Sequence, residues 1–471
     1  MSNQIPVHDI TPPPEGSGDY VDLYASREKI HTRAFKGLFR TLRMASGAVL
    51  LCIFFGTVWL SRNGHQAVWW NLPERKFYIF GATFWPQDFI LLSGILIVAA
   101  FGLFFITVYA GRVWCGYTCP QSVWTWIFMW CEKVTEGDRN QRIRLDHAPM
   151  NANKLLRRLA KHSLWLLVGF ATGVTFVGYF APIRELCIDL FTGEADGWAY
   201  FWVGFFTVAT YLNAGWLREQ VCIYMCPYAR FQSVMFDRDT LIISYDPRRG
   251  EPRGPRKKEA ERPVDGLGDC IDCTMCVQVC PTGIDIRDGL QVECIGCAAC
   301  IDACDTVMDK MNYPRGLIRY TTEHNLSGQR THTLRPRLIG YALVLLLMTG
   351  LLAGAFYVRP LVSMDIGKDR ALYRENAEGR IENVYSVKVM NKDQVSHRYV
   401  LEASGLPDLR LQGPQEIEVM AGESVSLPVA LSSAPDKLPA SSNEVTFILK
   451  GIDDSDTRAE TKSRFLGPPI R

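Results

Sequence analysis

Eight cysteines between positions 270 and 304 have the spacing of metal-cluster ligands. They form two runs of the pattern Cys-x2-Cys-x2-Cys-x3-Cys, and thirteen residues separate the runs. Three thiolates from one tight loop can face a single centre, and each run can donate its fourth thiolate to its neighbour's [4Fe–4S] cluster. The predicted ligands of cluster one are Cys270, Cys273, Cys276 and Cys304, and those of cluster two are Cys294, Cys297, Cys300 and Cys280.

Structural zinc and a disulfide scaffold are the alternatives for these cysteines. Zinc sites usually use paired Cys-x2-Cys units with a longer gap between the pairs, so the two runs are too dense for zinc. A disulfide framework would imply export, whereas the topology predicted below keeps this stretch in the cytoplasm. The spacing is that of a bacterial two-cluster ferredoxin, so we expect an α+β domain with two [4Fe–4S] clusters. The second run ends in Cys304-Asp305 rather than Cys-Pro, which removes no ligand.

Two further cysteine pairs share the pattern Cys-x3-Cys-Pro, and an arginine precedes each pair by three or four residues. The pairs are Cys115 with Cys119 and Cys222 with Cys226. Residues i and i+4 share one face of a helix, so each pair is expected to present two thiols to one ion. Soft sulfur ligands favour Cu(I), zinc or iron–sulfur, and Met225 adds a thioether. Small buried apolar residues are the alternative for one pair, but two matched pairs at one membrane depth favour a metal or redox role.

The other cysteines and the histidine near the C-terminus carry weaker signals. Cys52 and Cys131 are expected to be packing residues. Cys187 lies in a predicted outer loop, where it could be reactive, but no partner is evident. His397 lies on a predicted turn and is expected to be solvated.

Five apolar runs are each close to the ~20 residues that cross a bilayer as a helix. They cover about 44–60, 89–110, 164–182, 200–217 and 338–358. Buried helices of a soluble protein are the alternative, but the centres of the runs carry no charge. The stretch Val123 to Trp130 is too short to span and is expected to form an interfacial or re-entrant helix.

Lysine and arginine are distributed unevenly between the spans. Six precede the first span, three lie between the first two, nine precede the third, one precedes the fourth and seventeen precede the fifth. Loops rich in these residues stay on the cytoplasmic side. This rule places the N-terminus, loop 111–161 and the cluster segment in the cytoplasm, and residues 359–471 outside, in a periplasm if the cell has one.

The chain is therefore expected to be a multi-domain membrane protein. Its predicted segments are a cytoplasmic tail (1–43), a four-span helical membrane domain (44–236), a basic linker (237–264), a double [4Fe–4S] domain (265–320), a fifth span (338–358) and an outer domain (360–471). Residues 11–18 are expected to be disordered, and no cleavable signal is evident. Proline and glycine are expected to preclude a helix in 246–258, which should lie on anionic headgroups or dock an acidic partner.

The C-terminal segment alternates apolar and polar residues with the period of a β-strand. The pattern covers 381–390, 399–403, 415–420, 424–430 and 443–450, with turn signals between the strands. Several short strands at this spacing predict an all-β sandwich. Nothing in this segment has the pattern of a catalytic site.

The order of these motifs resembles the cytochrome c oxidase accessory protein family, CcoG, also called FixG or RdxA. The resemblance covers essentially the whole chain, and its most specific marks are residues 245–253 and the two Cys-Pro motifs. It implies a multi-pass protein of the bacterial inner membrane with a periplasmic Ig-like domain. It further implies cupric reductase activity, from Cu(II) to Cu(I), for the copper site of a cbb-type oxidase. Copper would then be held, as substrate or transiently bound ion, by Cys115, Cys119, Cys222 and Cys226.

The implied partners are membrane lipid, the copper ion, subunits of the oxidase, copper-delivery proteins and an unidentified cytoplasmic electron donor. No nucleic-acid partner is expected, although the net charge of +2 alone argues neither way. Two other functions remain open. One is a quinol-linked membrane ferredoxin similar to the NapH type. The other is a non-redox copper chaperone or assembly scaffold with structural clusters.

Overall fold

The computed structural model describes residues 29–62, 64–80, 82–256, 266–369, 372–393, 395–452 and 457–469. The predicted disordered lead-in at 11–18 and the last part of the basic linker, including Lys257 and Lys258, lie outside the described residues.

In the residues that the structure describes, the membrane part contains nine α-helices and five short strands. The helices are α1 (Leu38–Thr57), α2 (Phe89–Ala110), α3 (Val113–Tyr117), α4 (Pro120–Glu136), α5 (Arg139–His147), α6 (Ala152–Gly178), α7 (Ile183–Thr192), α8 (Gly197–Thr210) and α9 (Pro227–Met235). The strands are β1 (Ser61–Arg62), β2 (His65–Gln66), β3 (Val68–Asn71), β4 (Lys76–Ile79) and β5 (Ala82–Phe84). All five strands lie between α1 and α2.

Four helices of the described part are long and apolar enough to cross a membrane. They cover Leu38–Trp59, Pro86–Ala110, Ala152–Gly178 and Pro336–Tyr357. The predicted first, second and fifth runs coincide with three of them. The third helix begins twelve residues before the predicted run at 164, because its first turns are polar and belong to the same helix.

The predicted fourth span is an interrupted helix. Its α-helical part, α8, has 14 residues, and a π-helical segment, Tyr211–Leu217, follows it directly. A π-segment carries more residues per turn than an α-helix and often marks a functional site. The apolar run at 200–217 is thus helical throughout, but it is not one regular helix.

A second group of short elements, which we call the cluster domain, follows the membrane part. It contains β6 (Ile242–Tyr245), α10 (Pro247–Gly250), α11 (Met275–Gln278), α12 (Ala299–Met311), β7 (Ile318–Thr321) and α13 (Glu323–Leu326). β6 and β7 pair antiparallel, with Ile242 opposite Thr321. Tyr245 and Ile318 are buried in one core with Cys270 and Cys276.

The first half of the predicted basic linker therefore belongs to the cluster domain. β6 lies in it, and Pro247–Gly250 forms one helical turn, contrary to the expectation that proline and glycine preclude a helix there. Proline is tolerated at the first helical position because its missing N–H has no partner there anyway. Arg249 pairs with Asp269 at 2.5 Å, so this part of the linker is held by the domain and is not free in solvent.

The helix α14 (Pro336–Tyr357) connects the cluster domain to a β-sandwich. The strands of the sandwich are β8 (Val362–Lys368), β9 (Arg374–Glu375), β10 (Ile381–Asn391), β11 (His397–Ser404), β12 (Arg410–Gln412), β13 (Glu416–Val419), β14 (Ser424–Ser433), β15 (Ser442–Gly451) and β16 (Arg458–Leu466). One sheet has the order β12-β14-β10-β8, with β9 also on β10, and the other has the order β13-β11-β15-β16. The five predicted strands are present; β8, β9, β12 and β16 were not expected.

The cluster domain and the sandwich lie at opposite ends of α2 and α14. At one end, Arg335 pairs with Asp237 at 3.0 Å beside the cluster domain. At the other end, Asp88 accepts bonds from Arg359 at 2.7 Å and from Lys392 of the sandwich at 2.9 Å. A membrane around these helices would hold the two domains on opposite sides.

Candidate functional site

The eight cysteines of the cluster domain form two sets, as the spacing predicts. The pKa of Cys304 is raised to about 12, chiefly by burial and also by the nearby thiols of Cys276, Cys273 and Cys270. Burial also raises the pKa of the Cys300 thiol, and its thiol neighbours are Cys297, Cys294, Cys280 and Cys276. The fourth thiol of each set thus comes from the other run. Cys276 of the first set also raises the pKa of Cys300 in the second set, so the two sets are adjacent.

The two loops also repeat each other in backbone conformation. Asp272 and Gly296 each stand two residues after the first cysteine of a run, and both have positive φ. Thr274 and Ala298 each stand four residues after it, and both have φ near +55°. Left-handed residues at these places turn the chain so that successive side chains can face one centre. The arrangement fits two [4Fe–4S] clusters, because all eight thiols are free and each set supplies four sulfur donors.

The two Cys-x3-Cys-Pro motifs share a local structure that differs from the prediction. We expected both cysteines of a pair on one continuous helix. Instead, Cys119 and Cys226 end their segments in extended conformation, and the following proline begins a new helix. The N–H of Cys119 donates to the carbonyl of Trp114 at 2.9 Å, and the N–H of Cys226 donates to that of Val221 at 2.8 Å. Both bonds reach back five residues, so the internal repeat is also structural.

The structure brings the four thiols of these motifs together. The pKa of Cys222 is raised to about 12, chiefly by burial and also by the nearby thiols of Cys119, Cys115 and Cys226. The pKa of Cys115 is raised to about 11, chiefly by burial and also by the nearby thiol of Cys119. The Cys115 thiol also contacts the amide oxygen of Gln232 on α9, at 3.5 Å. The thiols of Cys115 and Cys222 are therefore protonated near neutral pH, and a metal that binds them has to displace protons.

The first motif lies directly against the loop of cluster two. Gly116 packs so closely there that a Cβ atom on it would be 2.7 Å from the carbonyl oxygen of Gly296 and 2.9 Å from Cα of Cys297. The guanidinium of Arg112 donates to the carbonyl of Cys294 at 3.3 Å and to that of Ala229 on α9 at 2.6 Å. Arg112 therefore joins the cluster loop, the first motif and the helix that follows the second motif.

The second motif is held by a buried group of charges. Arg218, four residues before Cys222, pairs with Glu132 of α4 and donates to the carbonyl of Gly215 at 2.9 Å. Glu132 also pairs with Arg142 at 2.7 Å. Burial raises the pKa of Glu132, but the two arginines outweigh it and hold the pKa below its ordinary value. The carboxylate is thus ionised and paired on both sides.

Sequence reasoning missed several residues of this site. The role of Gly116 and the contact from Gln232 depend on which loops meet, and neither residue type carries a signal of its own. Glu132 lies in α4, two residues after the apolar stretch 123–130 that we expected to be interfacial; a carboxylate so close to that stretch is the signal that could have drawn attention to it. Met225, the suggested thioether ligand, is exposed.

The remaining predictions for single residues have mixed outcomes. Cys131 is buried, as expected of a packing residue, whereas Cys52 is exposed on α1. Cys187 is half-buried in α7 and packs against an apolar core. His397 is not simply solvated, because it begins β11 and its Nε2 atom lies 2.8 Å from the carboxylate of Asp393.

Two protein families match separate parts of the chain. Residues 217–323 match a family described as 4Fe-4S dicluster domain. Residues 352–468 match a family described as IG-like fold at the C-terminal of FixG. The first match covers both cysteine runs and the second covers the β-sandwich, so two iron–sulfur clusters and an Ig-like fold are confirmed.

Individual relatives extend the similarity to almost the whole chain. The chain is 38% identical over 453 residues to the protein RdxA of Cereibacter sphaeroides, which covers 92% of this chain and 95% of RdxA. It is 43% identical over 305 residues to the nitrogen fixation protein FixG of Rhizobium meliloti, covering 64% of this chain and 58% of FixG. The crystal structure of a FixG-related protein from Vibrio parahaemolyticus is 34% identical over 23% of this chain and 97% of that one, with a TM-score of 0.22.

Proposed function

The chain belongs to the FixG/RdxA family of iron–sulfur membrane proteins, and on this premise we propose that it reduces Cu(II) to Cu(I) at the thiols of its two Cys-x3-Cys-Pro motifs. The Cu(I) formed would serve assembly of the copper site of a cbb-type oxidase. One observation carries the proposal. The backbone of the first motif, at Gly116, touches the backbone of the cluster-two loop, at Gly296 and Cys297.

The eight thiolates of the cluster domain would hold two [4Fe–4S] clusters, which supply one-electron transfer when bound. The chain sets the order of the two sets of thiols. Cys273 of the first set is exposed, so a cytoplasmic one-electron donor can reach this loop. Cys297 of the second set is buried, and its backbone packs against Gly116 of the first Cys-x3-Cys-Pro motif. The sets therefore lead from the surface to the four motif thiols.

Copper is the substrate in this account. Cu(II) exchanges water ligands for motif thiolates, accepts one electron from the donor side and becomes Cu(I). Thiolates prefer the softer Cu(I), so their binding favours the reduced ion. The motif thiols lose their protons as copper binds, and Arg112 beside the pair lowers the pKa of Cys115 against the effect of burial.

The topology supports different roles for the two domains outside the membrane part. We infer an inner-membrane location in which the cluster domain faces the cytoplasm and the β-sandwich faces the periplasm. The sandwich would then be placed to contact oxidase subunits or copper-delivery proteins, while the donor acts from the cytoplasm. The separation of the two domains along α2 and α14 is the structural support for this division.

The direct test is anaerobic Cu(II) reduction by purified, cluster-loaded, pre-reduced protein after removal of excess reductant, with a Cu(I)-specific chelator as reporter. The key variant is Cys115→Ser/Cys119→Ser/Cys222→Ser/Cys226→Ser, and its matched control is Cys52→Ser/Cys187→Ser, which removes thiols outside the motifs. We expect the parent and the control to form Cu(I) and the quadruple variant to lose this activity with its clusters intact.

A single cluster ligand provides the complementary test. Cys273→Ser should abolish reduction but leave copper binding at the motif thiols. Reduction that survives this change would contradict the role of the clusters. A parent protein that binds copper and never reduces it would support a scaffold with structural clusters instead.

We infer a second candidate, quinol-linked electron transfer, from a cavity beside the π-segment. The cavity has a volume of about 290 Å³, and its walls include Glu132, Lys161, His162 and Trp165. His162 Nδ1 lies 2.8 Å from the hydroxyl of Tyr211. A polar cavity of this size at the end of a spanning helix suits the head group of a quinol. Anaerobic cluster reduction by a short-chain ubiquinol would support this candidate, and the absence of reduction would remove it.

A further inference from the structure

Three side chains outside the thiol sites converge at the membrane-facing end of the cluster domain. Asp239, His324 and His332 each offer one donor atom, and the three atoms lie within 4.8 Å of one another. In the part of the chain that the structure describes, no other group of three His, Cys, Asp or Glu donors is this close. We propose that these three residues bind a divalent first-row transition-metal cation.

The distances between the donors are close to those of a metal site. His324 Nδ1 lies 2.8 Å from Asp239 Oδ1, and His332 Nδ1 lies 3.8 Å from Asp239 Oδ2. The longer separation is beyond hydrogen-bond range. Metal bonds of about 2.0–2.2 Å place neighbouring donors of a tetrahedral site roughly 3–3.5 Å apart. Small movements of the side chains would therefore complete the site.

The fold fixes two of the three ligands. Asp239 stands three residues before β6 and His324 three residues after β7, and these strands pair so that the two residues meet at one end. The N–H of His324 donates to the carbonyl of Arg238 at 3.2 Å. Asp239 also accepts a bond from the backbone N–H of His332, at 2.9 Å. The two strands and the start of the last spanning helix thus position the set.

The third ligand, His332, gives an ion access to the site from solvent. The side chains of Asp239 and His324 are largely buried, whereas that of His332 is 70% exposed. A rotation of His332 can open the site to an ion from solvent and close it again without moving the backbone. Three protein ligands also leave coordination positions for water.

The donor set indicates the class of ion. Imidazole suits Zn²⁺, Cu²⁺, Ni²⁺ and Fe²⁺, whereas Mg²⁺ and Ca²⁺ prefer sites made of oxygen donors alone. The nearby cations are already paired: Arg335 binds Asp237 at 3.0 Å, and Arg238 lies 3.6 Å from Glu323. The carboxylate of Asp239 is therefore available to balance the charge of a divalent ion.

The probe that tests this site is Zn²⁺, because it cannot be reduced by the clusters. Cluster-loaded full-length protein in detergent would be titrated anaerobically by calorimetry. The protein used for the titration carries Cys115→Ser/Cys119→Ser/Cys222→Ser/Cys226→Ser as its background substitutions, so that the motif thiols do not compete for zinc. We expect one Zn²⁺ per chain in this background, with a rise in the thermal midpoint of unfolding, because an ion bound by the folded state stabilises it.

Single substitutions assign the ion to the three ligands. His332→Gln should weaken Zn²⁺ binding at least tenfold and leave the fold intact, because its side chain is exposed. Asp239→Asn should abolish binding. His397→Gln is the matched control, because His397 has a similar 2.8 Å contact with Asp393 and belongs to no three-donor group in the described residues.

Each outcome decides the proposal. Selective loss in the His332 and Asp239 variants, with cluster absorbance unchanged, establishes the site. Equal Zn²⁺ binding by the quadruple-cysteine variant with and without His332→Gln overturns it, and Asp239 then serves as a hydrogen-bond acceptor that fixes the two loops. Failure of Cu(II) reduction at the thiols would not affect this result, because the titration involves neither copper nor the motif cysteines.

Discussion

The first Cys-x3-Cys-Pro motif and the second close with the same backbone turn, but they are anchored to different parts of the molecule. Arg112 holds the first motif through carbonyl groups of the cluster-two loop and α9. Arg218 holds the second through the buried, ionised Glu132 of α4. Each motif has an arginine before it in the sequence, yet one arginine reaches toward the clusters and the other reaches away from them.

This difference indicates how two copies of one motif can share a task. The first motif is placed by contact with the cluster loop, so its position follows the cluster domain. The second motif is placed by the helices around Glu132, so its position follows the membrane domain. A copper ion between the pairs would bridge the two domains, and loss of either anchor should affect one pair more than the other.

The largest effect is expected from Glu132→Gln, which removes the charge that pairs Arg142 and Arg218. Breaking a buried ion pair from one side costs about 3–5 kcal/mol, because a charge is left unpaired. Thermal or denaturant unfolding in detergent measures the loss. The variant should also speed alkylation of Cys222 relative to Cys115, since only the second motif depends on this anchor.

The control is Glu402→Gln, which breaks an ion pair with Lys450 of the same kind at 2.7 Å on the surface of the sandwich. Exposed pairs contribute about 0–1 kcal/mol. Similar losses in both variants would contradict the assigned role of Glu132.

A substitution of Gly116 breaks the other anchor. Gly116→Ala places a Cβ atom against the backbone of Gly296 and Cys297, and overpacking of this kind costs about 1–3 kcal/mol. We expect an altered spectrum of cluster two and slower copper reduction, with cluster one unaffected. Gly340→Ala on α14 is the control, because a Cβ atom there meets nothing within 4 Å. An unchanged cluster-two spectrum would show that the close contact is not needed.

The raised pKa values of the thiols predict a steep pH dependence of copper affinity. Cys115 and Cys222 have pKa values of about 11 and about 12, so both hold protons at pH 7 and release them on binding. Affinity should therefore rise with pH, by about tenfold per pH unit for each proton displaced, until pH approaches these values. Competition with a Cu(I) chelator at pH 6.5, 7.5 and 8.5 measures the slope. A flat profile would mean that the ion binds elsewhere or that the thiols are already ionised.

The smallest effect is expected at the contact between the two motifs. Gln232→Met removes the acceptor of the Cys115 thiol while keeping the volume of a fully buried side chain. A single neutral hydrogen bond contributes about 0.5–1.5 kcal/mol. Unfolding should shift by no more than this amount, and alkylation of Cys115 should change more than that of Cys222. Equal changes at both thiols would indicate a global effect.

The sequence predicted the parts of this fold that depend on local pattern. The cysteine runs, the apolar helices near 89–110 and 338–358 and the alternating strands of the sandwich all follow from spacing or periodicity. β16 was not predicted because six of the nine residues of Arg458–Leu466 are polar, and the segment is a strand through its pairing with β15. Propensity is a weak guide where tertiary pairing decides the conformation.

The site was predictable in its ligands but not in its anchors. The cysteines can be recognised as ligands from their type and spacing. Gly116 is important only because the cluster-two loop packs against it in the fold. The helix break in each motif was missed because the i and i+4 rule assumes one continuous helix, while the proline after the second cysteine begins a new one. His324 and His332 were not singled out, because the third donor, Asp239, is more than eighty residues away in the sequence.

In the proposed reaction, electrons leave the cluster domain for copper at the motif thiols. The most direct measurement is single-turnover reoxidation of pre-reduced protein by one equivalent of Cu(II), followed anaerobically by cluster absorbance and Cu(I) formation. The account predicts matched cluster oxidation and Cu(I) formation in the parent, and at least tenfold slower reoxidation in the Cys115→Ser/Cys119→Ser/Cys222→Ser/Cys226→Ser variant. Reoxidation of that variant at the parental rate would contradict the account.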